Sequence, residues 1–200
     1  MPQLTALDEV AARAKSCVAC GLSKKRRNVV FGEGNSNSPL VLVGEGPGDQ
    51  EDATGRPFVG RAGKLLDQAL QDNGLDRNDV YICNTVKCRA CDWRNGKPFN
   101  RPPTEEEVAT CRPWLEEQLK LIAPKVILCI GSPSANNLIR KGFQITKERG
   151  KIFECAFAEI CIATLHPAYI LRQGGTNSDG GYGLLVDDIA LAWMTANRAA

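Results

Sequence analysis

Four short apolar runs dense in branched side chains constrain this chain more than any other feature. They are Leu40-Val41-Leu42-Val43, Val80-Tyr81-Ile82-Cys83, Val126-Ile127-Leu128-Cys129-Ile130 and Ile160-Cys161-Ile162-Ala163. Runs this short, without polar alternation, suit strands buried on both faces. Helical patterns alternate with them. Leu65, Leu66, Ala69 and Leu70 share one face of a helix that should end near Gly74. Thr104-Glu105-Glu106-Glu107 reads as a capped start for a helix carrying Val108, Trp114, Leu115, Leu119 and Ile122, which Pro113 should bend or restart. Ser132 is placed to cap another helix that stops at Lys141-Gly142, a last helix covers residues 184–197, and Lys151-Ile152-Phe153-Glu154 can add a strand beside the fourth. Strand and helix in alternation predict an α/β fold, a mostly parallel sheet with helices on both faces. There is no repeat, no low-complexity tract and no linker long enough to divide residues 1–200. Only residues 91–103 read as a sizeable loop. One domain is expected.

The balance of 43% hydrophobic and 24% charged residues excludes a disordered chain and a coiled coil. Apolar runs of about five residues fall far short of the roughly 20 a membrane span needs. Met1-Pro2-Gln3-Leu4 lacks the basic start and apolar core of a signal peptide, so a soluble cytosolic protein is expected. The net charge is only +2, yet cations gather. Residues 11–32 hold six (Arg13, Lys15, Lys24, Lys25, Arg26, Arg27) and no acid; residues 87–101 hold five against Asp92; residues 140–151 hold five against Glu148. Such clusters suit a polyanion.

Ligands of open α/β sheets bind beyond the carboxyl ends of the strands, so the residues there carry the argument. The first strand runs into Gly44-Glu45-Gly46-Pro47-Gly48-Asp49-Gln50-Glu51-Asp52. Its glycines allow close backbone approach, but it is neither a phosphate loop nor a dinucleotide fingerprint. Its four acids need another role, such as activating water or stabilising a cation. The second strand ends in Asn84, whose amide can pair with a planar donor–acceptor edge. The fourth ends at His166, the one histidine in the chain, held extended by Pro167.

Nine cysteines, an odd number in a chain without an export signal, argue against a disulfide framework. Cys83, Cys129 and Cys161 lie in apolar strands and, with Cys155, read as core packing. Cys17, Cys20, Cys88, Cys91 and Cys111 remain. Cys17, Cys20, Cys88 and Cys91 would suit zinc; Cys17, Cys20, Cys88 and Cys111 would suit an iron–sulfur cluster; Cys17 and Cys20 alone could form a redox dithiol.

Together these motifs resemble the family four, iron–sulfur type, uracil-DNA glycosylases. The segments that carry the likeness are Gly44-Glu45-Gly46-Pro47-Gly48 with Glu51-Asp52, then Thr54-Gly55-Arg56-Pro57-Phe58-Val59-Gly60, Asn84-Thr85-Val86-Lys87-Cys88-Arg89, and His166-Pro167-Ala168-Tyr169-Ile170-Leu171-Arg172. The resemblance implies a three-layer α/β/α fold around a four-stranded parallel sheet, and a [4Fe-4S] cluster on Cys17, Cys20, Cys88 and Cys111 tied to a loop at residues 85–111. It implies a monomeric, monofunctional enzyme that excises uracil from DNA. Phe58 would stack on the flipped uracil, Asn84 would pair with its O4 and N3–H, Glu51 would fill the space beside C5, and the Gly46 backbone would approach the base edge. His166 would donate to uracil O2, Glu45 would face the sugar and orient water, Ile170 or Leu171 would wedge into the vacated stack, and Arg172 would hold phosphate.

Two departures stand out. The stretch between Cys88 and Cys111 is longer than in typical members and contains Cys91. A related branch that becomes trapped on DNA carries a histidine in a basic insertion here; this chain has none, so turnover is expected. A metal- or cluster-bearing nucleic-acid binding module without catalysis is the competing reading. It leaves Glu45, Asn84 and His166 without a shared purpose.

Overall fold

The computed structural model of the 200-residue chain describes residues 5–175 and 180–198, with Arg94 as backbone only. Residues 1–4, which enter the cytosolic expectation, lie outside the described residues. Helix α1 (Ala6–Lys15) and a 3₁₀ turn (Gly21–Lys24) precede strands β1 (Glu33–Gly34) and β2 (Leu40–Gly44). Helices α2 (Asp49–Thr54) and α3 (Arg61–Gln71) lead to β3 (Tyr81–Asn84), and β4 (Cys91–Arg94) with β5 (Lys97–Asn100) forms a hairpin. Then come α4 (Glu105–Ile122), β6 (Val126–Ile130), α5 (Ser132–Leu138) and α6 (Ile145–Glu148). The chain continues through β7 (Ile152–Phe153), β8 (Ile160–Thr164), α7 (Pro167–Arg172) and α8 (Tyr182–Ala196).

The main sheet runs β1-β3-β2-β6-β8-β7. Its four inner strands are parallel; the two-residue strands at its edges are antiparallel. The sheet therefore has six strands where four were expected. Of the outer pair, β7 falls within the expected 151–154 segment, and β1 is too short to leave a periodic signal.

Successive side chains of the inner strands point to opposite faces, and both faces are covered. Leu40, Leu42, Ile82, Leu128 and Ile162 pack with Leu66 and Leu70 of α3, Ile170 of α7 and Leu185 and Ile189 of α8. Val41, Val43, Cys83, Ile127 and Ala163 pack with Leu115 and Leu119 of α4 and Ala135 and Leu138 of α5. This is the three-layer α/β/α arrangement. Helix α1 adds a small outer cluster, with Val10 and Ala14 packed beside Trp114 of α4.

Helix α4 starts as its sequence requires. Glu107 N donates to Thr104 Oγ1 at 3.2 Å, and Thr104 N donates to Glu107 Oε2 at 2.8 Å. Pro113 lies inside this helix without ending it. Gly131, not Ser132, is the N-cap of α5, which ends at Leu138, short of the Lys141-Gly142 stop.

Two further expectations are corrected. Residues 91–100 form a hairpin, closed by Asn95 and Gly96 with φ of +49° and +73°. Two left-handed residues match the twist of the flanking strands. The Asn-Gly pair was the signal that could have found it. Cys155 and Cys161 pack in the apolar core as expected, but they are paired as a disulfide across the β7–β8 connection and not free. Among the described residues, no helix is long and apolar enough to cross a membrane.

Candidate active site

The strand order reverses between β2, from which the chain moves out to β3, and β6, on the other side of β2. Such a switch point opens a crevice at the carboxyl ends. Glu45 follows β2, Asn84 ends β3 and His166 follows β8. All three line one open cleft of about 380 Å³ together with Gly46, Glu51, Phe58, Asn100 and Arg101.

Four acids sat in the loop after β2, and the structure separates them. Asp52 is buried, accepting from Arg27 N at 2.9 Å and Arg27 Nε at 3.1 Å. Asp49 is paired with Arg27 and Arg89. Glu51 accepts from the backbone N–H of Gly48, Val59 and Gly60 at 3.1, 2.9 and 2.8 Å. Its carboxylate braces the loop while its side chain still lines the cleft. That leaves Glu45. Among the described residues no hydrogen bond reaches its carboxylate, and burial raises its pKa above the usual carboxylate value.

Asn84 is 2% exposed. Among the described residues its carboxamide takes no hydrogen bond, and it opens to the cleft. A Cβ on Gly44 would fall 2.4 Å from Asn84 Oδ1 and 2.6 Å from Phe58 Cζ. Only a glycine there lets the amide and the ring converge. Phe58 itself holds φ of +51°, a conformation uncommon outside glycine. Arg77 secures it by donating to the carbonyl of Pro57 at 2.9 Å and to that of Phe58. Gly63 packs so tightly beneath that a Cβ would meet the Phe58 carbonyl oxygen at 1.7 Å.

His166 caps α7. Its Nδ1 accepts from Ala168 N at 3.0 Å, so the neutral ring carries its proton on Nε2. Burial, aided by the positive Arg172 and opposed by Glu51, lowers its pKa to about 4. The ring centroid lies 5.9 Å from that of Phe58. At neutral pH the cleft thus holds an uncharged N–H donor, an unpartnered amide, an aromatic face and a free carboxylate. Such a set can grip a flat polar ring and stabilise charge of opposite sign on either side of a breaking bond.

On α7, Ile170 is fully buried in the core and cannot reach a bound strand. Leu171 is half-buried against the same core cluster and Arg172 is exposed. Some cations of the clusters are paired in three dimensions, while Lys15, Lys24, Lys25, Lys147 and Lys151 stay exposed. Arg13 pairs with Glu117, Arg101 with Asp92 and Glu107, Arg140 with Glu148, and Arg149 with Asp188.

Lys87 is 1% exposed. Its Nζ donates to Asn84 O at 2.9 Å and Gln118 Oε1 at 2.6 Å, while Gln118 Nε2 donates to Phe31 O and Tyr81 Oη at 3.0 Å each. This network props the end of β3 from behind. Lys87 lies in a segment that carries the family likeness, but its link to Gln118 and the hold of Arg77 on Phe58 had no sequence signal, because each joins segments far apart in the chain.

Cys17, Cys20, Cys88 and Cys111 line a second, small cavity between the 3₁₀ turn and α4. Three of the sulfurs accept hydrogen bonds: Cys88 from Arg26 at 3.4 Å, Cys111 from Lys87 N at 3.2 Å, and Cys17 from Trp114 Nε1 at 3.3 Å. Cys91 is outside this set, buried at the base of the hairpin. Among the described residues, no three His, Cys, Asp or Glu side chains are drawn together as around a single metal ion.

The sequence profile of the uracil DNA glycosylase superfamily matches residues 31–183. The chain is 47% identical over 168 residues to a type-4 uracil-DNA glycosylase of Thermotoga maritima, covering 84% of each. It is 42% identical over 167 residues to one of Pyrobaculum aerophilum, covering 80% of this chain and 81% of the relative. It is 42% identical over 177 residues to one of Archaeoglobus fulgidus, covering 85% of each. With the fold and the cleft as described, likeness of this extent places the chain in the type-4 uracil-DNA glycosylases of the uracil-DNA glycosylase superfamily.

Proposed function

We propose that the chain hydrolyses the N-glycosidic bond of deoxyuridine in DNA, releasing uracil and leaving an abasic site for base excision repair. The observation that carries this reading is the amide of Asn84, open to the cleft beside the Phe58 ring. Uracil presents an acceptor at O4 and a donor at N3, which one carboxamide satisfies. Cytosine reverses both, and a polar mismatch of that kind can discriminate by about 10⁴-fold. The base must first be flipped from its stack, at a cost of a few kcal/mol, and Leu171 is suited to fill the gap. Arg172 and the exposed lysines then hold phosphates.

As the bond breaks, negative charge grows on uracil O2 and positive charge on the sugar. His166, uncharged, donates from Nε2 to O2 without giving its proton away. Uracil leaves as its anion with the bonding pair. Glu45 stabilises the cationic sugar and orients a water that adds at C1′ and gives its proton to the Glu45 carboxylate, from which it passes to solvent. No lysine is among the residues that line the cleft, and Lys87 Nζ is turned to Asn84 O and Gln118. A water nucleophile leaves the DNA strand intact.

We assign Cys17, Cys20, Cys88 and Cys111 to a [4Fe-4S] cluster. Their shared cavity supports this, as do the N–H donors aimed at three of the sulfurs, since thiolates bound to iron accept such bonds. The cluster would tie the N-terminal segment to α4 and the loop at residues 85–111. Hydrolysis transfers no net electrons, so no redox step is asked of it. The chain is taken as one domain, acting as a cytosolic monomer on uracil-containing DNA.

The test is release of uracil from a strand with a single deoxyuridine, beside cytosine and thymine controls, followed by alkali. Breaks confined to the uracil strand, and only after alkali, are expected. Asn84→Ala should abolish release while leaving most DNA affinity. Failure of brown, folded protein to release uracil would overturn the reading and favour a binding module.

A further inference from the structure

The β4–β5 hairpin takes no part in the chemistry above, yet its base forms one wall of the cleft. Ala90, Asn100 and Arg101 all line it. The base is held firmly: Arg89 Nε donates to Asn100 Oδ1 at 2.7 Å, Arg101 N to Ala90 O at 3.1 Å, and the Arg101 guanidinium to Glu107 of α4 at 2.7 Å.

Both faces of the hairpin base reach the cleft, Asn100 on one and Ala90 with Arg101 on the other. Cys91 pairs with Asn100 and Trp93 with Pro98, whereas Asp92 pairs with Phe99. Alternation puts Trp93 on the same face as Asn100, whose amide nitrogen approaches the Gly48 loop. Asp92 is on the opposite face and meets Arg101. The indole is 59% exposed. It stands about 7 Å beyond the cleft wall, counted as two strand residues, and that is about two nucleotide steps at 3.4 Å each.

We infer that the hairpin is a single-strand reader in which Trp93 stacks on an unpaired base a step or two from the flipped uracil; this rests on DNA being the substrate. Three features favour a nucleic-acid strand over other partners. The aromatic face is continuous with the base cleft. The acid of the hairpin, Asp92, is paired with Arg101, which also holds Glu107, and Lys97 is exposed near the tip. The two-residue turn at Asn95-Gly96 closes the hairpin just beyond Trp93, so the indole is carried on a hydrogen-bonded ladder. A duplex keeps its bases stacked on one another and offers the indole no free π-face, so the contact belongs to single strands.

The test uses the full chain and a fluorescent 12-nucleotide strand that contains no uracil, alone and as a duplex. Trp93→Ala should weaken single-strand binding about 5- to 100-fold, as loss of one stacked base does, and change duplex binding less than about 2-fold. Trp93→Phe, which keeps a π-face, should recover part of the loss. With a uracil strand, KM should rise by a similar factor at unchanged kcat, because the contact is the same in ground and transition states. Equal losses on both forms of DNA, or no loss on the single strand, would overturn the proposal. An unchanged melting temperature shows that the variant is folded, as expected for an exposed side chain. Because the binding strand carries no uracil, this arm reads the hairpin even if uracil release fails, and release alone decides the proposed activity.

Discussion

His166 should stay uncharged far below the pH at which histidine ordinarily gains its proton. With its pKa lowered to about 4 by burial, against 6.5 for the free side chain, only a few per cent of the folded protein should carry imidazolium at pH 5.5, compared with roughly nine-tenths of an unperturbed histidine. The unfolded chain takes up the proton near 6.5 and the folded chain near 4. The stability contribution is therefore complete above 6.5 and is lost as the pH falls toward 4. Between pH 7 and 5 the loss works out at about 2 kcal/mol. Since this is the one histidine of the chain, its imidazole resonances can be followed by NMR without assignment ambiguity. Urea melts across the same range should be compared with His166→Asn. That variant keeps an acceptor for Ala168 N, asparagine being a good N-cap, but cannot titrate. Wild type should lose about 2 kcal/mol relative to it by pH 5, and kcat/KM of wild type should show no inflection near 6.5. His166→Asn should also lose about 10²- to 10³-fold in kcat, as when an oxyanion donor is removed. An imidazole that titrates near 6.5, with parallel stability curves for the two proteins, would refute the neutral-donor mechanism.

Arg77→Met removes the donors that hold the Phe58 backbone, leaves Asp67 without its partner and leaves Glu33 with Arg56 alone. We expect a loss of about 3 kcal/mol in urea melts and a fall in kcat/KM, with intact activity counting against a bracing role. Lys87→Met strips donors from the Asn84 carbonyl and from Gln118, at a cost of about 1–3 kcal/mol for each acceptor left unpaired. Preference for uracil over cytosine should narrow in the same variant, measured as the ratio of kcat/KM values. Cys17→Ala should yield colourless, poorly soluble protein; a soluble, colourless variant with full activity would show that the four-cysteine site does not support the fold.

Much of this molecule was legible along the chain. The four inner strands, the capped start of α4 and the last helix follow from local periodicity and capping, and local rules are what a sequence displays. The candidate residues at the strand ends were legible for a related reason, since a parallel sheet brings its carboxyl ends together whatever the loops do. The resemblance to a known family then joined those residues into one proposed chemistry.

What only the tertiary structure decided are matters of partnership. Four acids in one loop look alike in sequence; cations and backbone N–H groups from elsewhere engage Asp49, Glu51 and Asp52 and leave Glu45 free. Ile170 and Leu171 are adjacent and equally apolar, but the helix turns the first into the core. Cys91 follows Cys88 at metal-ligand spacing, yet Cys111, far along the chain, shares the cavity in its place. Asn84 gains its meaning from having no partner, which no sequence can state. Periodicity records which face of an element is apolar, whereas charge pairing, burial and an open valence depend on which distant side chain arrives, and that is settled when the layers pack.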